Sequence, residues 1–284
     1  FDTAANADKI KAIFAETISN PSLQILDIKA TANFAHSKNI PLIIDNTTAT
    51  PYLVNPIDLG CDIVIHSSSK YINGSSDAVS GVIIDSCKFK WNFEKYPSLA
   101  KFKQFGIYAN LVKLRKDTVA SIGGCLSPLN AYLNTIGLET LALRIEKICD
   151  NAYQLAKFLS QIHGIEVNNP LLDEDSSSRK ILVKEQLKGK AGGILTLRAG
   201  SKKKAFKIIN SLKIATIASN IGDIRTLVIY PATTLYLHNT KEEMNEAGVF
   251  DDTIRVSVGI EDIEDLIEDF KQAIELAANT ENEN

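Results

Sequence analysis

The first half of the chain shows short apolar runs separated by segments long enough to form helices. The runs are "AIFAET" (12–17), "PLIIDNT" (41–47), "CDIVIHS" (61–67) and "GVIIDS" (81–86), and a helical pattern, "LDIKATANFAHSKN" (26–39), separates the first two. This alternation is typical of parallel strands covered by helices on both faces. The first half is therefore predicted to be an α/β layered domain with a parallel-rich sheet.

The second half begins with a long helical pattern over residues 138–162, whose apolar positions recur close to the helical period. This helix could bridge two domains. Strand and helix patterns resume after the Ser-rich "DEDSSS", and the closing segment "IEDLIEDFKQAIELAAN" (263–279) has its apolar residues on one face. We expect a large domain over residues 1–148 and a smaller α+β domain over 149–284.

Charge and composition exclude several classes of function. The chain has 34 acidic and 31 basic residues, a net charge of -3, which does not favour binding to nucleic acid or anionic membranes. No apolar run approaches the roughly 20 residues of a membrane span, and the helix-like start of the chain is unlike a signal peptide. The four Cys and four His residues have no metal-ligand spacing. A cytoplasmic globular protein without a metal site is predicted.

Polar residues that could bind a ligand or take part in a reaction follow three of the predicted strands. The stretch "VIHSSSKYING" (64–74) places Lys70 after an apolar run, while Asn20 and Asp45 end the stretches "FAETISN" and "LIID". Ligands of open parallel sheets collect at the carboxyl ends of strands, so all three could face one crevice. A carboxylate such as Asp45 is costly to desolvate unless a cation or strong donors meet it.

One ligand would satisfy these groups together. A protonated heteroaromatic nitrogen would pair with Asp45, and an aldehyde on the same molecule would react with Lys70, which describes pyridoxal 5'-phosphate. Ser67 and Ser69 have hydroxyls that can donate to phosphate oxygens. Each residue also has an ordinary interpretation by itself: Lys70 as a solvated loop charge, and Asp45 or Asn20 as turn or cap residues.

The chain also resembles a known family. The segments "AETISNP", "IIDNT", "DIVIHSSSKYINGSSDAVSGVII", "GLETLALR" and "IRVSVGIEDIEDLIEDFKQAI" resemble the Cys/Met-metabolism pyridoxal-phosphate enzymes, over the carboxyl-terminal two thirds of such a protein. Within the family, "WNFEKYPSL", "LSPLNAYLNTIGLETL" and "TLVIYPATT" are most similar to the O-acetylhomoserine sulfhydrylases. The resemblance implies fold type I, the aspartate aminotransferase-like fold. Residues 1–148 would be the carboxyl-terminal part of the cofactor-binding domain, and 149–284 the small domain.

The resemblance also implies a role for each cofactor-binding residue. Lys70 would form the Schiff base, Asp45 would pair with the pyridine nitrogen, and Asn20 would lie beside the ring hydroxyl. Ser67 and Ser69 would hold the phosphate. A further residue, Thr47, would lie close to the ring, although a simple strand-end hydroxyl is an equally ordinary interpretation.

Two residues of the second half would bind the substrate carboxylate. In "TIRVSVG", alternation places Arg255 on the strand face opposite the apolar residues, free to face a cavity. A guanidinium can bind a carboxylate through two parallel hydrogen bonds, although a surface salt bridge is the alternative. The resemblance adds Ser219. It also shows a departure at Tyr230, where relatives usually have His, and this change could shift the reaction preference.

The implied reaction is γ-replacement on O-acetylhomoserine by sulfide or a thiol, which gives homocysteine or methionine and acetate. Cystathionine γ-synthase or a methionine or cystathionine γ-lyase remains an alternative, as does a noncatalytic fragment or scaffold. A nicotinamide-binding domain is disfavoured because no G-x-G-x-x-G follows a strand. The resemblance implies a homotetramer with shared sites. The chain could also need a complementary amino-terminal segment that carries a Gly-containing phosphate turn and a tyrosine stacked on the ring.

Overall fold

The computed structural model describes residues 9–281. Of the helix-like segment that begins the chain and runs into the first strand, residues 1–8 lie outside this range. A first sheet has four strands in the order β1-β2-β3-β4. Their bounds are Ile13–Glu16, Leu42–Asp45, Ile63–His66 and Val82–Asp85. All four predicted apolar runs are therefore strands.

The direction of the fourth strand differs from the prediction. Strands β1, β2 and β3 are parallel, but β4 runs antiparallel to β3. The segment between β3 and β4 consists of turns and has no crossover helix, so the chain folds straight back beside the strand that it has just left.

Two helices lie next to the first strands of this sheet in the sequence. Helix α1 (Ile28–Ser37) joins β1 to β2, and α2 (Thr50–Leu53) follows β2. The Asp27 carboxylate caps α1 by accepting a hydrogen bond from the Ala30 N–H at 2.9 Å. On one face of the sheet Phe14 is 62% exposed and Ile83 is 54% exposed. The Asn110 amide, from a later helix, donates to the Asp85 carboxylate on this same face at 2.8 Å. Coverage of both faces by helices stays a prediction.

Helical segments connect the two halves of the molecule. They are α3 (Ala109–Lys113), α4 (Ala120–Ile122), α5 (Pro128–Glu139) and α6 (Leu141–Leu159). The single helix predicted over 138–162 is thus divided at Thr140, which has the non-helical φ, ψ pair of -110° and 3°.

Helix α6 contributes side chains to two separate hydrophobic clusters. Leu141 and Ile148 belong to a first cluster, which also contains β2 residues, whereas Leu155 and Leu159 belong to a second cluster beneath the second sheet. This arrangement agrees with the bridging role predicted for the helix. The exact domain boundary between residues 148 and 149 stays a prediction.

The second sheet is mixed and mostly antiparallel, with the order β5-β6-β9-β8-β7. Its strands are Glu166–Asn168 (β5), Ile194–Arg198 (β6), Thr216–Ile217 (β7), Leu227–Ile229 (β8) and Thr253–Ser257 (β9). The remaining helices are Ser178–Gln186 (α7), Lys202–Ser211 (α8), Lys241–Glu246 (α9) and Ile263–Glu281 (α10). Helix α10 buries Leu266, Phe270 and Ile274, which lie on its predicted apolar face. Within residues 9–281, no helix is both long and apolar enough to span a membrane.

Candidate active site

The carboxyl ends of the parallel strands form the floor of the site. Glu16 and Asp45 are the last residues of β1 and β2 and pair with each other in register. An Asp45 carboxylate oxygen accepts a hydrogen bond from the Thr47 N–H at 2.9 Å, and the Thr47 hydroxyl oxygen accepts one from the Ser67 N–H at 2.8 Å. The Lys70 N–H then donates to the Ser67 carbonyl at 3.1 Å. A short chain of contacts therefore links Asp45 to the turn that carries Lys70.

The Lys70 side chain is half-buried beneath the second half of the molecule. Its Nζ donates a hydrogen bond to the side-chain oxygen of Asn220. Burial lowers the pKa of Lys70, and the positive charge of Arg255 lowers it further. The amine therefore loses its proton more easily than that of a free lysine, and a deprotonated amine is a nucleophile.

The Arg255 guanidinium faces the same place from β9. Its neighbours Ile254 and Val256 are buried in the second cluster, and Arg255 lies on the opposite strand face with only 2% of its surface exposed. It donates to the Asn220 carbonyl at 2.8 Å and to the Asn20 side-chain oxygen at 3.5 Å. This geometry agrees with the strand-face prediction.

The Arg255 cation has no acidic partner among the described residues. No carboxylate lies within salt-bridge distance of it, so the alternative of a surface salt bridge is wrong for this part of the chain. Its Nε, moreover, is buried and has no hydrogen-bond partner there. Desolvation lowers the pKa of Arg255 to about 10. A buried cation with an unused donor is suited to an anionic ligand.

Asn20 and Glu16 close the circuit of contacts. The Asn20 N–H donates to the Glu16 carboxylate at 3.1 Å. Burial raises the pKa of Glu16, and the neighbouring Asp45 charge raises it further, against the lowering effect of the Asn20 hydrogen bond. Contacts thus run from Lys70 through Asn220, Arg255, Asn20, Glu16, Asp45, Thr47 and Ser67 back to Lys70.

The predicted phosphate-binding serines have different surroundings. The Ser69 hydroxyl donates to the Ser80 carbonyl at 3.0 Å and accepts from the Ser80 N–H at 2.8 Å, so its donor is already in use. The Ser67 hydroxyl has no hydrogen-bond partner among residues 9–281. Ser67 is therefore better placed than Ser69 to donate to a ligand. Their phosphate-binding roles stay predictions.

The structure adds Asn220, which the sequence did not single out, to the site. The predicted residue Ser219 is exposed, whereas its neighbour Asn220 contacts both Lys70 and Arg255. Glu16 is a second addition. Asn220 lies in the stretch "ASNIGD" (218–223) beside Ser219, and Glu16 lies in "AETISNP", but no spacing signal distinguishes either from ordinary polar residues.

Tyr230 packs in the interior of the second half. It is buried in the second cluster, its hydroxyl donates to the Asp251 carbonyl at 2.7 Å, and its ring centroid lies 4.7 Å from that of Phe206. These contacts explain why a large aromatic side chain is accommodated at this position. They include none of the residues that surround Lys70.

The residues of the circuit fit pyridoxal 5'-phosphate. Lys70 offers an amine of lowered pKa to an aldehyde, and Asp45 offers a carboxylate to a protonated ring nitrogen. Ser67 retains a free hydroxyl for a phosphate oxygen. Arg255 retains an unused N–H for the carboxylate of an amino acid.

Solved structures define the class of protein. A putative O-acetylhomoserine (thiol)-lyase of Campylobacter jejuni, whose structure contains N'-pyridoxyl-lysine-5'-monophosphate, has a TM-score of 0.87 and is 36% identical, over 94% of this chain and 66% of its own. A cystathionine gamma-lyase of Lactobacillus plantarum, solved with L-serine, has a TM-score of 0.80 at 29% identity, over 98% and 68% of the two chains. The fold is that of the type I pyridoxal-phosphate enzymes, as predicted, and pyridoxal phosphate is the cofactor of this class.

Sequence comparison then gives the family. The family model for the Cys/Met metabolism PLP-dependent enzymes matches residues 2–275, and the chain belongs to this family. Homocysteine synthase of Schizosaccharomyces pombe is 40% identical over 97% of this chain and 68% of its own length. O-acetyl-L-homoserine sulfhydrylase of Corynebacterium glutamicum is 38% identical over 94% and 64%, and cystathionine gamma-lyase of Dictyostelium discoideum is 36% identical over 95% and 64%. The chain spans about two thirds of the length of these relatives.

Proposed function

We propose that this chain catalyses γ-replacement on O-acetylhomoserine by sulfide or a thiol, giving homocysteine or methionine and acetate. Arg255 is the observation that supports an amino-acid substrate, because its buried guanidinium faces Lys70 and has only neutral oxygens as partners among the described residues. The similarity to a homocysteine synthase and to O-acetylhomoserine sulfhydrylases supports the choice of substrate.

The proposed roles follow from the position of each group. Pyridoxal phosphate, when bound, supplies an electron sink for negative charge at the substrate carbon. Lys70 attaches the cofactor and, once its amine is free, moves protons between the α and β carbons of the substrate. With the cofactor bound, Asp45 would keep the ring nitrogen protonated, and Asn20 and Thr47 would be the residues that meet its ring hydroxyl and ring. Their polar atoms belong to the contact circuit described above.

The remaining residues hold the two anionic ends of the ligands. Ser67 and Ser69 would donate to the phosphate. Ser67 is the stronger candidate because its hydroxyl is free within the described residues, whereas Ser69 would have to give up its bond to the Ser80 carbonyl. Arg255 binds the substrate carboxylate through its guanidinium, and Ser219, which is exposed beside Asn220, contributes at the rim. No metal has a role in this proposal.

The test compares sulfur nucleophiles. The chain, loaded with pyridoxal phosphate, is incubated with O-acetylhomoserine and either sulfide, methanethiol or cysteine, and acetate release is measured. We expect fastest turnover with sulfide, and Lys70→Ala should abolish it. Faster use of cysteine would instead identify a cystathionine synthase. Absence of a borohydride-stable pyridoxyl label on Lys70 would favour the noncatalytic scaffold.

A γ-lyase is the second candidate, because a cystathionine gamma-lyase of Dictyostelium discoideum is 36% identical to this chain. Incubation with cystathionine and no added nucleophile distinguishes the two activities. A lyase would release a keto acid and ammonia, whereas the proposed transferase would leave cystathionine unchanged.

We also propose that the working enzyme is a cytoplasmic homotetramer whose sites are shared between subunits. The exposed apolar side chains of Phe14 and Ile83 offer a surface for a further subunit or for an amino-terminal segment supplied by another chain. Light scattering of the chain, alone and coexpressed with the amino-terminal segment of a relative, tests the proposal. A monomer that binds pyridoxal phosphate unaided would contradict it.

A further inference from the structure

A row of hydrogen bonds extends from Lys70 away from the cofactor site. Asn220, which accepts from Lys70, donates through its amide nitrogen to the Ser76 hydroxyl oxygen at 2.8 Å. Ser76 donates in turn to an Asp223 carboxylate oxygen at 2.5 Å. Arg225 donates to both Asp223 oxygens at 3.0 Å. The row therefore joins Lys70 to an ion pair whose Arg225 side chain is exposed to solvent.

The charge state of Asp223 fixes the direction of every bond in the row. Asp223 is 1% exposed, and although burial raises its pKa, hydrogen bonds from Arg225 and Ser76 hold the pKa below its usual range. An ionised carboxylate only accepts hydrogen bonds, so Ser76 must give its single proton to Asp223. Ser76 can then only accept from Asn220. The Asn220 nitrogen therefore faces Ser76, and its oxygen faces Lys70.

We propose that Ser76 and Asp223 are positioning residues that orient the Asn220 amide, so that its oxygen accepts a hydrogen bond from the free amine of Lys70. The amine is a donor, and an amide turned the other way would present it with N–H groups instead. This hydrogen bond keeps Lys70 in one place whenever its amine is not bound to the cofactor. The catalytic role of this hydrogen bond rests on the proposed function, in which the Lys70 amine must be free in order to move protons.

The arrangement also joins the two halves of the molecule. Ser76 lies in the turns after β3, and Asn220 and Asp223 lie between β7 and β8. The Ile224 N–H donates to the Gly74 carbonyl at 2.8 Å, so the two loops are in direct backbone contact. The charged side chain that faces Lys70 from β9 is Arg255, and Arg255 also holds the Asn220 carbonyl. Asn220 is thus fixed at both its main chain and its side chain.

The test measures the amine of Lys70 without relying on turnover. The full chain is freed of cofactor with hydroxylamine and labelled with trace acetic anhydride between about pH 7 and about pH 11, and the Lys70 peptide is quantified by mass spectrometry. In Asp223→Asn, the Ser76 proton is no longer directed and the Asn220 amide can turn. We expect the labelling midpoint of Lys70 to fall by about half a pH unit, a roughly threefold gain in label below the midpoint. Ser76→Ala should shift it in the same direction.

Two variants separate orientation from charge. Asp223→Asn leaves Arg225 as an unpaired cation, so the double variant Asp223→Asn/Arg225→Gln removes both charges and should keep most of the shift. Asp175→Asn removes an exposed carboxylate that pairs with Lys180 and should leave the midpoint unchanged. Unchanged labelling in Asp223→Asn and Ser76→Ala, or complete recovery in the double variant, would overturn the proposal.

A separate experiment tests the proposed function independently of the orientation of Asn220. Wild-type chain is treated with pyridoxal phosphate and borohydride, and the Lys70 peptide is examined for a pyridoxyl label. Absence of that label contradicts the proposed function, while the acetylation midpoints still decide whether Ser76 and Asp223 orient Asn220. Circular dichroism of each variant identifies any that fails to fold, and Ser76→Gly then replaces Ser76→Ala, since Ser76 has a φ of +58°.

Discussion

Arg255 is a buried cation that is only partly solvated by protein groups. Its described partners are two neutral amide oxygens, and its Nε donates to no residue that the structure describes. Removing a charge from water without full compensation is unfavourable, and a ligand carboxylate would supply the missing acceptor. The residue is therefore arranged for a ligand more than for stability.

Replacing Arg255 by Lys should weaken substrate binding while the fold is retained. The ammonium keeps the charge but loses the planar pair of donors. Hydrogen bonds to charged groups contribute about 1.5–3 kcal/mol, so we expect KM for O-acetylhomoserine to rise by roughly 10- to 150-fold. Steady-state kinetics measure the change. Arg198→Lys is the matched control because this arginine is partly exposed and pairs with Asp252 and Glu166; an equal rise in KM there would contradict the proposed role.

The charge of Arg255 should also control the reactivity of Lys70. Because this cation helps to lower the pKa of Lys70, Arg255→Met should raise that pKa and leave less free amine at neutral pH. The rate of pyridoxal phosphate addition to the cofactor-free chain, followed by absorbance against pH, should show its midpoint move upward. A midpoint that stays in place would mean that desolvation alone sets the reactivity.

The contact between two loops sets the position of Lys70 at the scale of structural elements. Gly222 has a φ of +78°, and a Cβ added to it would lie 2.5 Å from the Tyr71 backbone nitrogen. The Gly222 N–H also donates to the Ser257 hydroxyl at 3.1 Å, which ties the loop to β9. Only glycine allows this approach of the loop to the residue after Lys70.

Gly222→Ala should therefore separate the two loops. The left-handed backbone costs an alanine about 1–2 kcal/mol, and the overlap with Tyr71 adds about 1–3 kcal/mol. We expect the free energy of unfolding in urea to fall by the sum of both. Gly189→Ala is the matched control, because its φ is +76° and no atom lies within 4 Å of the added Cβ. Equal losses in the two variants would show that backbone strain alone matters.

Elements that depend on local pattern could be predicted from the sequence. The strand runs and helix α10 follow from apolar periodicity, and Arg255 from alternation in β9. The direction of β4 depends instead on how a turn-rich connection folds, and the break at Thr140 interrupts an apolar pattern that continues on both sides. Asn220 could not be predicted, because its contact joins residues 150 positions apart through loop docking.

Helix α6 couples the two halves at the scale of the whole molecule. Its first turns pack in the cluster beneath the first sheet, and its last turns pack in the cluster beneath the second. Because α6 belongs to both clusters, displacing it from one cluster would also expose apolar side chains of the other. We therefore expect the described regions to unfold together. A destabilising change in one cluster should lower the free energy of unfolding of both.

Two buried thiols in the first cluster should make the free energy of unfolding of the chain fall in mildly alkaline solution. Burial raises the pKa of both Cys61 and Cys149 to about 12. Unfolded thiols titrate near pH 8.5, so the stabilisation is complete below about pH 8.5 and is lost progressively as the pH rises toward the folded value. Between about pH 8 and about pH 9.5, each thiol should lower the free energy of unfolding by about 1.2 kcal/mol.

Urea unfolding at these two pH values measures the effect, and variants assign it to the thiols. The double variant Cys61→Ala/Cys149→Ala should lose about 2.5 kcal/mol less than wild type over the interval, even if it is less stable at both ends. Cys125→Ala removes an exposed thiol and should keep the wild-type dependence. Burial raises the pKa of Tyr71 as well, but an unfolded tyrosine titrates near pH 10, above the interval. A double variant with unchanged pH dependence would show that the two thiols ionise alike in the folded and unfolded chains.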